Sequence, residues 1–130
     1  MLFSCRKMFE KRRRPNKPFF REMDRFSAPE TVLASSTSWL PASSFSKGLP
    51  GRERVIVARP VNPPHLIPLV EIAPAPWTTP DTVERARAVY IRAGQSPVLL
   101  KKEITGFLLN RIQGAVLNEA LNLYEGVTRW

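Results

Sequence analysis

The sequence predicts an α/β fold, on three observations. Val55-Ile56-Val57 is a continuous β-branched run, the pattern of a strand covered on both faces rather than alternating between core and solvent. Two strand-then-loop units follow one another, Val32-Leu33-Ala34 running into Ser35-Ser36-Thr37-Ser38 and then Arg54 to Ala58 running into a proline-rich turn. Thr79-Pro80-Asp81 then reads as a helix start: a capping hydroxyl, a proline whose missing N–H costs nothing in the first turn, and a carboxylate that favours the helix dipole.

Taken in order, the chain opens with bases. Residues 1 to 21 hold eight Lys/Arg against one acid, Glu10, so a surplus of +7 out of the chain's +9 sits in this start. Such a run, Lys11 to Lys17 above all, can serve nuclear import or bind phosphate. It can equally be a disordered start, and residues 1–17 are expected to be one. Because the remaining sequence is nearly balanced, the folded body is not expected to bind nucleic acid. From Pro18 on, Phe19, Phe20, Met23 and Phe26 recur at helical spacing and predict one buried helical face. Ser43 to Pro50 predicts a helical turn with Phe45 and Leu49 inward.

Val55–Ala58 and Leu66–Ile72 are expected strands flanking Pro60-Val61-Asn62-Pro63-Pro64. Val83, Ala86, Val89 and Tyr90 predict the buried face of the helix begun at Thr79, closed by Gly94. Pro97–Leu100 reads as a short strand. A second long helix is predicted from Thr105 and Gly106 to about Tyr124, with Leu108, Ile112, Val116 and Leu123 among its apolar positions and Gly114 in its middle. Much of that apolar surface has no later partner in the sequence.

Composition bounds the chemistry. One cysteine, Cys5, excludes an internal disulfide framework and fits a reducing, cytoplasmic setting. No apolar run nears the ~20 residues of a membrane helix, so no membrane association is expected. One Cys and one His supply no zinc-type ligand set, so no metal is expected. The six glycines form no G-x-G-x-x-G pattern. The one histidine, His65, and Glu71 can pair across the turn as base and orienting carboxylate, although a histidine beside prolines is more often structural or solvent-facing. Asn110 near a helix start can offer its amide to a ligand or bond locally. Ser38 has no base beside it in sequence.

Taken together, Ser35 to Ser38 (SSTS), Val55 to Glu71 (VIVARPVNPPHLIPLVE), Thr82 to Tyr90 (TVERARAVY) and Lys101 to Ala120 (KKEITGFLLNRIQGAVLNEA) resemble the 3-hydroxyacyl-CoA dehydrogenase family, in its lambda-crystallin branch. The resemblance spans roughly residues 18 to 125. It implies the second half of a Rossmann-like NAD-binding domain over 18–103, and over 104–130 the first long helix of an all-α dimerisation domain. The implied reaction is NAD-dependent oxidation of a 3-hydroxy group on a hydroxy acid or acyl-CoA, in a homodimer.

By motif, the resemblance implies that Ser38 and Asn110 hydrogen-bond the substrate oxygen, with Ser38 also counted among the cofactor contacts, that Glu71 orients the base, and that Asn62 lies near the nicotinamide. The family's histidine base stands three residues before that asparagine; here the position is Arg59. A guanidinium does not accept a proton near neutral pH, so Arg59 is expected to form an ion pair with Glu71. The family's glycine fingerprint has no counterpart in this sequence. An impaired dehydrogenase is therefore the expected function, with a non-catalytic interaction module carrying a basic nucleic-acid-binding tail as the alternative.

Overall fold

The computed structural model describes residues 2–5 and 17–128. Strands β1 (Leu2–Cys5), β2 (Val32–Ser35), β3 (Val55–Pro60), β4 (Leu69–Pro74) and β5 (Ser96–Leu99) form a five-stranded sheet in sequence order. Helices are α1 (Lys17–Phe26), the single turn α2 (Ser43–Ser46), α3 (Pro80–Arg92) and α4 (Phe107–Leu123). The expected α/β class holds.

Side chains alternate across each strand, and that splits the core into two layers. Leu33, Val55 and Val57 face one layer with Phe20, Phe45 and Phe107. Val32, Ala34, Ile56 and Ala58 face the other with Ala86 and Tyr90 of α3. Val55, Ile56 and Val57 are all fully buried for this reason, which is what their unbroken apolar run predicts. Burial also pushes the Tyr90 hydroxyl above its ordinary pKa.

Three expectations need correction. The start is not wholly irregular: Leu2–Cys5 pairs in parallel with β2, because this short segment precedes the first base and β2 has an edge to offer. The basic run 6–16 lies outside the described residues. Phe26 is 77% exposed rather than part of the α1 core face; it ends the helix, and the Arg25 guanidinium covers its ring instead. The strand expected from Leu66 begins at Leu69, since Leu66 and Ile67 donate their amides to the Pro63 carbonyl in a turn. The sheet is mixed. β1, β2 and β3 run parallel, β4 is antiparallel to β3, and β5 is parallel to β4. The connection 61–68 is too short for the crossover a parallel neighbour requires.

Helix α3 begins as read: Thr79 accepts the Thr82 amide, Pro80 stands first, and Gly94 follows the end at φ +75°. Of its expected inner face, Ala86 and Tyr90 are buried, and Val83 and Val89 are half-buried. Buried Arg54 fastens α1 to the sheet. Its guanidinium donates to the Asp24 carboxylate at 2.8 Å and 3.2 Å, and also to the Asp24, Ala28 and Thr31 carbonyls. Helix α4 leaves the sheet after its first turn, with Ile112, Val116, Leu117 and Leu121 at least half exposed. Among the described residues no helix is long and apolar enough to cross a membrane.

Candidate functional site

The strand ladder itself aims the two charged groups of the site. Arg59 of β3 and Glu71 of β4 are direct cross-strand partners, so their side chains leave the sheet on the same face with Cβ atoms about 5 Å apart. Arg59 Nη1 donates to Glu71 Oε2 at 2.6 Å. The pair is enclosed, its side chains being 12% and 2% accessible. Burying a carboxylate demands further partners. Glu71 Oε1 finds them in the backbone amides of Leu108 and Leu109, at 2.8 Å and 2.9 Å.

Those amides are the otherwise unpaired donors of the first turn of α4, where the helix dipole also favours negative charge. The local sequence brings them there. Gly106 precedes the helix in the left-handed region, at φ +78°, and Phe107 follows at φ +52°. This reversal drives the Phe107 ring into the core and turns the next two N–H groups toward Glu71.

Asn110 stands one turn along α4 and completes the group. Its Oδ1 accepts from Arg59 Nη2 at 2.8 Å, and its Nδ2 donates to the Ser38 carbonyl at 2.9 Å. Arg59, Glu71, Asn110 and Ser38, far apart in sequence, therefore meet in one hydrogen-bonded chain. The Ser38 contact is through its backbone; its side chain belongs to an exposed residue. Asn62, also exposed, follows β3 and is joined to Pro63 by a cis peptide bond.

The structure does not bring His65 and Glu71 together. His65 is exposed in the turn after Pro64, while the Glu71 oxygens are bonded to Arg59 and to the start of α4. Among the described residues no cluster of His, Cys, Asp or Glu is arranged to hold a metal.

Sequence reasoning missed the Leu108 and Leu109 amides and also Trp39. The Trp39 indole lies against Gly106, and a Cβ at Gly106 would meet the ring at 3.0 Å. A glycine placed directly before a helical pattern was the available signal for a close approach.

Comparison with known proteins gives the chain's family. Residues 9–104 match the family described as 3-hydroxyacyl-CoA dehydrogenase, NAD binding domain. The lambda-crystallin homolog of Mus musculus is 47% identical over 109 residues, 84% of this chain and 34% of the relative. A 3-hydroxyacyl-CoA dehydrogenase of Gibberella moniliformis is 44% identical over 102 residues, 78% of this chain and 32% of the relative. Among solved structures, FHMPC 5-dehydrogenase, an NAD+-dependent dismutase, superposes with a TM-score of 0.79 at 33% identity, over 87% of this chain and 37% of that one. The chain thus spans about a third of the length of the curated relatives it matches. With a mixed Rossmann-like sheet of this kind and a family match over most of its residues, the chain belongs to the 3-hydroxyacyl-CoA dehydrogenase family, within its NAD-binding domain.

Proposed function

We propose that this chain is the later part of the NAD-binding domain of a dehydrogenase acting on the 3-hydroxyl of a hydroxy acid or its CoA thioester, and that Arg59 disables proton transfer in this form. The observation that carries the reading is the guanidinium bridging Glu71 and Asn110. Oxidation of an alcohol requires that the hydroxyl proton pass to a base as hydride leaves the carbon. Arg59 occupies the place that the family resemblance gives to that base, and it is a permanent donor. It also engages the groups that would serve substrate: Glu71 as orienting carboxylate and Asn110 as a ligand of the substrate oxygen.

NAD, when bound, supplies the hydride acceptor. Ser38 and Asn62 follow the ends of the adjacent parallel strands β2 and β3 and are both exposed. Ligands of α/β sheets collect at that edge, so these two residues fit the nicotinamide end of the cofactor. The chain's glycines provide no phosphate-cradling loop of the dinucleotide type, so the pyrophosphate gains no such seat here. The exposed apolar residues of α4 support association through that helix, in a homodimer of the longer protein, and the single cysteine supports a cytoplasmic setting.

The test grafts residues 17–123 into a full-length relative and compares Arg59 with Arg59→His. A positioned general base contributes about 10²- to 10⁴-fold, so turnover of 3-hydroxy substrates is expected to rise by at least about 10²-fold in the histidine form. Equal turnover for the two would sink the assignment of position 59. Calorimetry of the present chain with NAD addresses the cofactor separately: the expected result is no saturable heat at micromolar NAD.

A further inference from the structure

We infer that Trp39 is a positioning residue, setting the first turn of α4 so that Asn110 reaches both Arg59 and the Ser38 carbonyl. The inference rests on the reading of Ser38, Arg59 and Asn110 as the site.

Three contacts stitch the loop after β2 to the segment entering α4. The Ser43 amide donates to Glu103 Oε1 at 2.8 Å, the Gly106 amide approaches the Trp39 carbonyl at 3.5 Å, and the Asn110 amide donates to the Ser38 carbonyl at 2.9 Å. Between them sits the Trp39 indole, with three of its carbons within 3.0 to 3.7 Å of where a Gly106 Cβ would stand. The ring therefore rests on the helix entry itself, and a Cβ at position 106 would crowd it. The 3.5 Å amide contact is too long to hold the entry by itself; the flat ring supplies the contact area.

The loop side of the stitch is stiff. Thr37 is buried, and its Oγ1 accepts the amides of Trp39 and Leu40 at 3.3 Å and 3.1 Å. The indole thus leans on the helix from a fixed base. Yet Trp39 is 58% exposed and contributes little to the core. A large aromatic held half in solvent against the turn that aims Asn110 is explained by alignment rather than by burial.

The experiment uses the full chain, isotopically labelled, and follows the Asn110 side-chain amide and the Arg54 guanidinium protons by nuclear magnetic resonance. In Trp39→Ala, exchange of the Asn110 amide protons with solvent should accelerate at least about tenfold, as expected when a hydrogen-bonded group is released to local opening. The Arg54 protons, which belong to the α1 anchor, should keep their protection. Trp39→Phe should recover most of the Asn110 protection, because a smaller flat ring still covers Gly106. Gly106→Ala, which pushes the ring away and strains φ +78°, should reproduce the alanine phenotype. Unchanged Asn110 exchange in Trp39→Ala, or equal loss of protection at Arg54, would overturn the inference. The readout needs no turnover, so its failure is distinct from a failure of the dehydrogenase reading, which the histidine graft decides.

Discussion

Two arginines at opposite ends of β3 each meet a carboxylate, and they do different work. Arg54, just before the strand, makes every bond to one neighbourhood: the Asp24 carboxylate and the carbonyls of Asp24, Ala28 and Thr31. It is an anchor between α1 and the sheet. Arg59, at the strand's other end, divides its donors between Glu71 of β4 and Asn110 of α4. Its carboxylate has independent support from two backbone amides. Burial of an ion pair therefore says little by itself about its role. An arginine whose partners depend on it is structural, whereas one whose partners are already supported can be exchanged for a different chemistry.

Breaking the anchor should have the largest effect. Arg54→Ala leaves the Asp24 carboxylate with the Gly51 amide and takes a donor from the Asp24, Ala28 and Thr31 carbonyls. Because the buried Asp24 carboxylate loses its cation, a loss of about 3–5 kcal/mol is expected, visible as a large fall in the urea midpoint by circular dichroism. The same measurement on Arg59→Met should give about 1–3 kcal/mol, because Glu71 retains the Leu108 and Leu109 amides. If Arg59→Met proved the more damaging, the distinction between anchor and exchangeable position would fail.

Smaller changes sharpen the contrast. Glu71→Gln keeps an acceptor for the helix amides but removes the charge that Arg59 meets, and should cost about 1–2 kcal/mol in the same assay. Thr79→Ala touches neither pair; loss of the cap on α3 should cost about 1 kcal/mol and give the scale of an ordinary local defect. The smallest effect concerns Tyr90. Its folded pKa is raised by burial, so the stabilisation is fully present below the unfolded value near 10 and is lost as pH rises through the folded one. Alkaline melts of Tyr90→Phe should therefore show a shallower fall in stability above about pH 10 than the unchanged chain.

How much of this was legible depends on the range over which each feature is decided. The cap at Thr79-Pro80, the buried run Val55 to Val57 and the helix after Gly106 are local, and the sequence showed them directly. The start of β4 was misjudged because Leu66 and Ile67 are apolar, while the turn at Pro63 captures their amides first. The face of α1 was overextended to Phe26, since periodicity does not reveal where the neighbouring layer ends. Within the site, the family resemblance pointed to Arg59 and Glu71 as partners, and they meet. Nothing local told that Arg59 also reaches Asn110, that the Glu71 carboxylate seats the start of α4, or that Arg54 bonds Asp24 across 30 residues. Those contacts exist only once strands and helices are stacked.

The cross-strand register of residues 59 and 71 has a consequence for how such a chain can vary over generations. The backbone does the aiming: whatever side chain stands at 59 emerges opposite Glu71, at a spacing fixed by the ladder. Histidine and arginine codons can differ by a single base. A substitution at this position can therefore change what the group does with a proton while leaving its place in the sheet untouched, so that chemistry and fold are free to evolve apart.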